Sequence, residues 1–120
     1  MNSGEEMSDC VFCDIIAGQA PAKILYADER AVAFYDRTPR APVHVLVVPV
    51  EHISSLRDLK PEHESLAGHL LLVAQHIAEQ ENISNSGYRV IINTGRAAGQ
   101  VVYHVHVHLL GGGPMKHPMG

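Results

Sequence analysis

The segment YHVHVHLL, Tyr103 to Leu110, sets histidine at every second position, His104, His106 and His108, with valine between them. A strict period of two belongs to an extended strand and to no helix. On a strand, residues two apart share a face about 6.6 Å from each other, so the imidazoles would form a row about 13 Å long. Tyr103, Val105, Val107 and Leu109 would pack the opposite face. A chain containing such a segment must build a sheet beside it and cover the valine side.

Partners for that sheet are present. KILYA and AVAFYD are separated by the polar DER, a hairpin signal. VHVLVVPV is β-branched and apolar, with His44, Leu46 and Val48 on one face and Val43, Val45 and Val47 on the other, as in an inner strand covered on both sides. Pro49 closes it, having no N–H for a ladder. GYRVIIN adds a fifth strand, joined to the histidine strand by the loop TGRAAGQ.

Helical periodicity appears twice. VFCDIIAG reads as a short helical turn ended by Gly18. Pro61 opens a helix running to about Gln80, with Leu66, Leu70, Val73 and Ile77 as its apolar stripe and Glu62 and Glu64 near the positive end of its dipole. The sum is an α+β domain: a mainly antiparallel sheet of about five strands, one long helix and a short N-terminal helix.

The chain has 120 residues, 46% of them apolar, which is enough for one core and too few for two ordinary domains. No repeat or linker divides it. Residues 1–9 are polar and acidic and read as a flexible N-terminus; residues 114–120 read as a C-terminal tail. The net charge of −4, with nine scattered Lys and Arg, argues against a nucleic acid polymer and leaves a small anionic ligand open. There is no signal-peptide core and no apolar run near the roughly 18 residues that span a bilayer, so a soluble, cytoplasmic protein is expected.

Cys10 and Cys13, spaced as CVFC, suit half of a tetrahedral metal site or a redox pair; two free buried thiols are the plain alternative. The histidine row also has several readings. It can be a satisfied polar face, a metal tract or a catalytic group, since a neutral imidazole offers a lone pair at neutral pH. One ion at the usual zinc–nitrogen distance of about 2 Å cannot be reached by all three without a bend, so at most one or two share a metal. His63, His69 and His76 on the long helix read as solvated or dimer-facing, and His117 as part of the tail.

More of the chain bears on the choice. GQVVYHVHVHLLGG resembles the signature of the histidine triad (HIT) family, and the YH before the triad and GG after it resemble the Hint branch. The likeness extends through CVFCDIIAGQAPAKILYADERAVAFYDRTPRAPVHVLVVPVEHI, ESLAGHL and INTG, placing a HIT domain at residues 10–113.

The resemblance implies a HIT-like fold and a nucleotide-binding hydrolase acting at the α-phosphorus of purine nucleotides, of phosphoramidate or acyl-adenylate type, through a nucleotidyl-histidine intermediate. By position it implies His106 as the attacking group, His108 and His44 as supporting imidazoles, and His104 as the residue whose backbone orients His106. It implies Asp36 as acceptor for the ribose hydroxyls, although a turn aspartate would look the same. Asn93, Gly99, Gln100 and Val101 fall on loop positions facing sugar and phosphate, and Arg37 on one facing the base.

As in zinc-carrying members, Cys10, Cys13, His52 and His104 would hold a structural zinc ion. A homodimer with a continuous sheet is implied as well. The chain departs from the Hint pattern at Val101, where serine is usual, at Arg37, where an aliphatic residue is usual, and in lacking the tryptophan near the end. Two other functions compete: a dinucleoside polyphosphate hydrolase, whose branch usually has PR after the triad, and a non-catalytic, zinc-stabilised nucleotide-binding module.

Overall fold

The protein is described by a computed structural model covering residues 9–116. Residues 1–8 and 117–120, hence nearly all of the expected flexible start and most of the tail, lie outside the described residues.

Five strands form one antiparallel sheet: β1 (Ile24–Ala27), β2 (Ala31–Tyr35), β3 (Val43–Pro49), β4 (Tyr88–Ile91) and β5 (Val107–Gly111), in the spatial order β1-β2-β3-β5-β4. The most apolar run, β3, takes the central place, with Val45, Val47 and Val48 fully buried. Alternation then sorts its side chains. Val45 and Val47 join Ala31, Ala33, Val107 and Leu109 on one face, where α2 (Glu64–Gln80) lays Leu70, Val73, Ala74, Ile77 and Ala78 across them. Leu46 and Val48 join Val32 and Phe34 on the other, capped by Phe12 of α1 (Val11–Ile16).

The expected long helix begins as a 3-10 turn at Pro61–His63 before α2 proper. No described helix is long and apolar enough to cross a membrane.

The histidine segment departs from the expected long strand. Only Val107–Gly111 pairs, so His108 lies in β5 while His104 and His106 precede it on irregular backbone. Pro49 supplies the reason. The register matches Val47 with Val107, and two residues further the ladder would need a donor that Pro49 lacks. The backbone N–H of Val105 turns instead to the Ile53 carbonyl at 2.6 Å. The Pro49 carbonyl is thereby released for a side chain.

A second feature was invisible in the pattern. His69 of α2 bonds the Asp28 carboxylate at 2.7 Å. The same carboxylate accepts from the Tyr26 hydroxyl and from the backbone N–H groups of Arg30 and Ala31. This cluster ties the β1–β2 turn to the helix, giving His69 a packing role. Those donors outweigh the opposing effect of burial and hold the Asp28 carboxyl far below the usual carboxylate range.

Candidate active site

The helix on one face leaves the other face of the sheet partly open. There a cleft of about 600 Å3 runs between α1 and the sheet. Phe12, Ile15, Phe34 and Leu46 form its apolar wall, and His44, His106 and His108 stand at its polar end. Asp36, Arg37, Asn93, Gly99 and Val101 also line it. Gly99 adopts φ +88, a left-handed turn that glycine enters without strain. Val101 is 86% exposed, so its side chain belongs to the mouth.

Two residues expected at the site sit behind it. Gln100 is buried; its amide oxygen accepts from the Gly95 N–H and its amide nitrogen donates to the Ser54 and Val102 carbonyls. It braces the loop from within. His104 is completely buried and lies below the cleft.

The hydrogen-bond partners fix which nitrogen of each imidazole carries a proton. His106 Nδ1 lies 2.8 Å from the His104 carbonyl, which can only accept, so Nδ1 is the donor and Nε2 keeps its lone pair. His44 Nδ1 receives the backbone N–H of Arg40 at 3.1 Å. Its proton is therefore on Nε2, which lies 2.9 Å from His108 Nδ1 and 3.4 Å from an Asp36 carboxylate oxygen. His108 Nδ1 must then accept, which places the His108 proton on Nε2. The outcome is one bare nitrogen on His106 beside one N–H donor on His108, with ring centroids 4.9 Å apart.

Phe12 holds the His106 ring edge-on at 5.1 Å between centroids. Burial disfavours the charged form of all these imidazoles. It pushes His106 down despite the opposing His104 carbonyl and Asp36 charge. His108 falls to about 4, through burial first and then the charges of His106 and His44. His44 is also lowered, by burial and by the Arg40 charge, against Asp36. All three rings are accordingly neutral at pH 7, as a lone-pair site requires.

The same tautomer logic separates two groupings of metal-ligating residues. Asp36, His44 and His108 lie close enough to share an ion, but the Arg40 N–H occupies the nitrogen to which the His44 proton would have to move. That group is a hydrogen-bond relay.

The other grouping is Cys10, Cys13, His52 and His104. His104 Nε2 donates to the freed Pro49 carbonyl at 2.8 Å, leaving Nδ1 bare toward the sulfur atoms, the arrangement a ligating imidazole needs. Three sulfur–nitrogen edges measure 3.4, 3.3 and 3.5 Å. Tetrahedral zinc, with sulfur at about 2.3 Å and nitrogen at about 2.0–2.1 Å, gives edges of roughly 3.6 Å, so the four residues fit such an ion. Burial, the hydrogen bond with Cys10 and the charges of Cys10 and Asp14 push the Cys13 thiol up to about 11. Two thiolates share this corner only if a cation balances them.

Fold and site together define a five-stranded domain with one unprotonated imidazole, His106, at an open cleft. Residues 17–115 match the HIT domain family, and the chain belongs to that family. An uncharacterized HIT-like protein of Synechococcus elongatus is 49% identical over 112 residues, covering 93% of this chain and 97% of that one. The purine nucleoside phosphoramidase of Escherichia coli K12 is 46% identical over 107 residues, covering 89% and 90%. Among solved structures, a HIT family hydrolase from Legionella pneumophila superposes with a TM-score of 0.90 at 39% identity, covering 93% of this chain and 100% of that one.

Proposed function

We propose that the protein is a nucleotidyl hydrolase that cleaves purine nucleoside phosphoramidates or acyl-adenylates at the α-phosphorus, with His106 as nucleophile. The observation that carries this reading is the His106 Nδ1 contact with the His104 carbonyl, which leaves Nε2 bare at the cleft end. The phosphoramidase activity of the Escherichia coli relative supports it.

In the first step the Nε2 lone pair forms a bond to phosphorus as the bond to the leaving group breaks; a phosphoramidate expels an amine, which takes one proton from solvent, and an acyl-adenylate expels a carboxylate, which needs none. Water then attacks the same phosphorus, the phosphorus–Nε2 bond breaks and its electron pair returns to the ring, releasing the monophosphate and one proton. His108 Nε2–H donates to the phosphoryl oxygens in both steps, already oriented through His44. Donors set in advance for developing charge are commonly the largest catalytic contribution. Asp36 accepts from the ribose hydroxyls, and the Phe12, Ile15, Phe34 and Leu46 wall receives the base.

Cys10, Cys13, His52 and His104 hold zinc in this reading. A closed four-ligand zinc site stiffens the fold and takes no part in the reaction. His104 is thus a positioning residue, tying the metal corner to the nucleophile through its own carbonyl. A homodimer fits the exposed Leu71 and Leu72 on the outer face of α2 and the exposed Tyr88 and Val90 on edge strand β4.

The test is turnover of adenosine 5′-phosphoramidate by the wild type and by His106→Ala, with acid-free quenching and mass spectrometry to capture nucleotidyl-histidine. Loss of turnover and of the adduct in a variant with unchanged circular dichroism supports the reading. Full activity in His106→Ala defeats it.

A further inference from the structure

The charged side chains lining the cleft are one carboxylate, Asp36, and three cations, Lys23, Arg37 and Arg40, besides the imidazoles. Lys23 is occupied, its ammonium lying 5.3 Å from the Tyr35 ring centroid. Arg37 and Arg40 are exposed, and among the described residues neither guanidinium has a hydrogen-bond or ion-pair partner.

An exposed arginine is usually no more than a solvated surface charge, so location must decide. Arg40 stands out because its backbone is part of the relay: its N–H donates to His44 Nδ1 at 3.1 Å. The segment that carries it is stiff. Pro39 and Pro42 flank it, and Asp36 pins the Thr38 N–H at 2.8 Å. Its side chain lines the same cleft as His44 and His108.

We propose that Arg40 is a specificity-determining residue that selects substrates whose leaving group is itself anionic, carrying a carboxylate or phosphate close to the scissile bond. The proposal rests on the hydrolase reading above. The apolar wall takes the base, and the phosphoryl group sits at His106 and His108. A leaving group that exits on the Arg40 side of the cleft then meets an unpaired guanidinium, whose planar fork matches carboxylate or phosphate oxygens two at a time. A neutral leaving group of the same size gains nothing from it.

The experiment compares kcat/KM for three adenosine 5′-phosphoramidates, made from propylamine, glycine and 2-aminoethyl phosphate. Wild type, Arg40→Gln and Arg40→Lys are assayed at low and raised ionic strength. The expected wild-type preference for the anionic amines is about tenfold at low salt, a typical scale for one charge-assisted contact. It should collapse toward unity in Arg40→Gln, return in part in Arg40→Lys and shrink as salt is added. A gain with both anionic amines makes charge the recognised feature; a gain with only one identifies the source as carboxylate or phosphate. A wild-type ratio near one, or a ratio that survives Arg40→Gln, overturns the proposal while leaving the hydrolase reading in place. No turnover of any of the three removes both.

Discussion

His108 offers the most direct physical test of the site. Its imidazole is pushed from 6.5 to about 4, first by burial and then by the neighbouring His106 and His44. In the unfolded chain the ring has none of these neighbours and takes up a proton near pH 6.5. Between these values the unfolded state binds more protons than the folded one, so stability rises with pH there. Acidification has the opposite effect: the His108 contribution is whole above about 6.5 and is lost progressively as pH falls toward about 4. At 1.36 kcal/mol per pH unit that loss is roughly 3 kcal/mol, an order-of-magnitude figure. Urea unfolding of wild type and His108→Asn at a series of pH values from 7.5 to 4 would read it. The difference between the two stability curves should narrow by about that amount across the window. A histidine-selective NMR titration should also show the His108 ring still neutral at pH 5.5. Parallel curves, or a ring titrating near 6.5, would refute the assignment of His108 as a buried neutral donor.

Other expectations follow from single contacts. On the proposed zinc site, elemental analysis should find one zinc per chain in the wild type and none in Cys13→Ser, with Tm lower by several degrees; turnover should fall as well, because His104 links the Cys10–Cys13 corner to the His106 nitrogen. Gly111→Ala places a Cβ 2.7 Å from Ile83 Cδ1 and 3.2 Å from Tyr88 Cβ, so denaturant unfolding should show a loss of about 1–3 kcal/mol. Asp28→Ala removes the acceptor shared by Tyr26, His69, Arg30 and Ala31, and should cost about 2 kcal/mol or more with little change in KM. Activity of the wild type should hold from pH 8 to below 6.5, since His106 is disfavoured from taking a proton by burial; a sharp fall centred on 6.5 would contradict a buried bare nitrogen.

Strand alternation and helix periodicity made most of the architecture legible. VHVLVVPV could only be an inner strand, and β3 lies in the middle of the sheet with its two faces sorted as the alternation requires. Leu70, Val73 and Ile77 face the core as their spacing predicts, while Leu66 is only half-buried near the start of α2. The histidine segment was the exception. Its alternation suggested one continuous strand, but pairing depends on the partner, and Pro49 cannot donate where the ladder would continue.

The site divides along the same line. Residue types and spacing by themselves marked an unusual set of imidazoles and a cysteine pair wanting two more ligands, because those signals are local. Whether Gln100 faced the cleft or the protein interior was beyond any spacing rule, since its partners Ser54, Gly95 and Val102 converge only after folding. The proton positions belong to the same class. His106 has a bare Nε2, and His108 a donating one, because a carbonyl from His104 and an N–H from Arg40 arrive at opposite ends of the cluster. The chain dictated which groups were available; three-dimensional proximity decided which nitrogen holds a proton, because a tautomer is set by the neighbour it touches and not by the residues beside it in sequence.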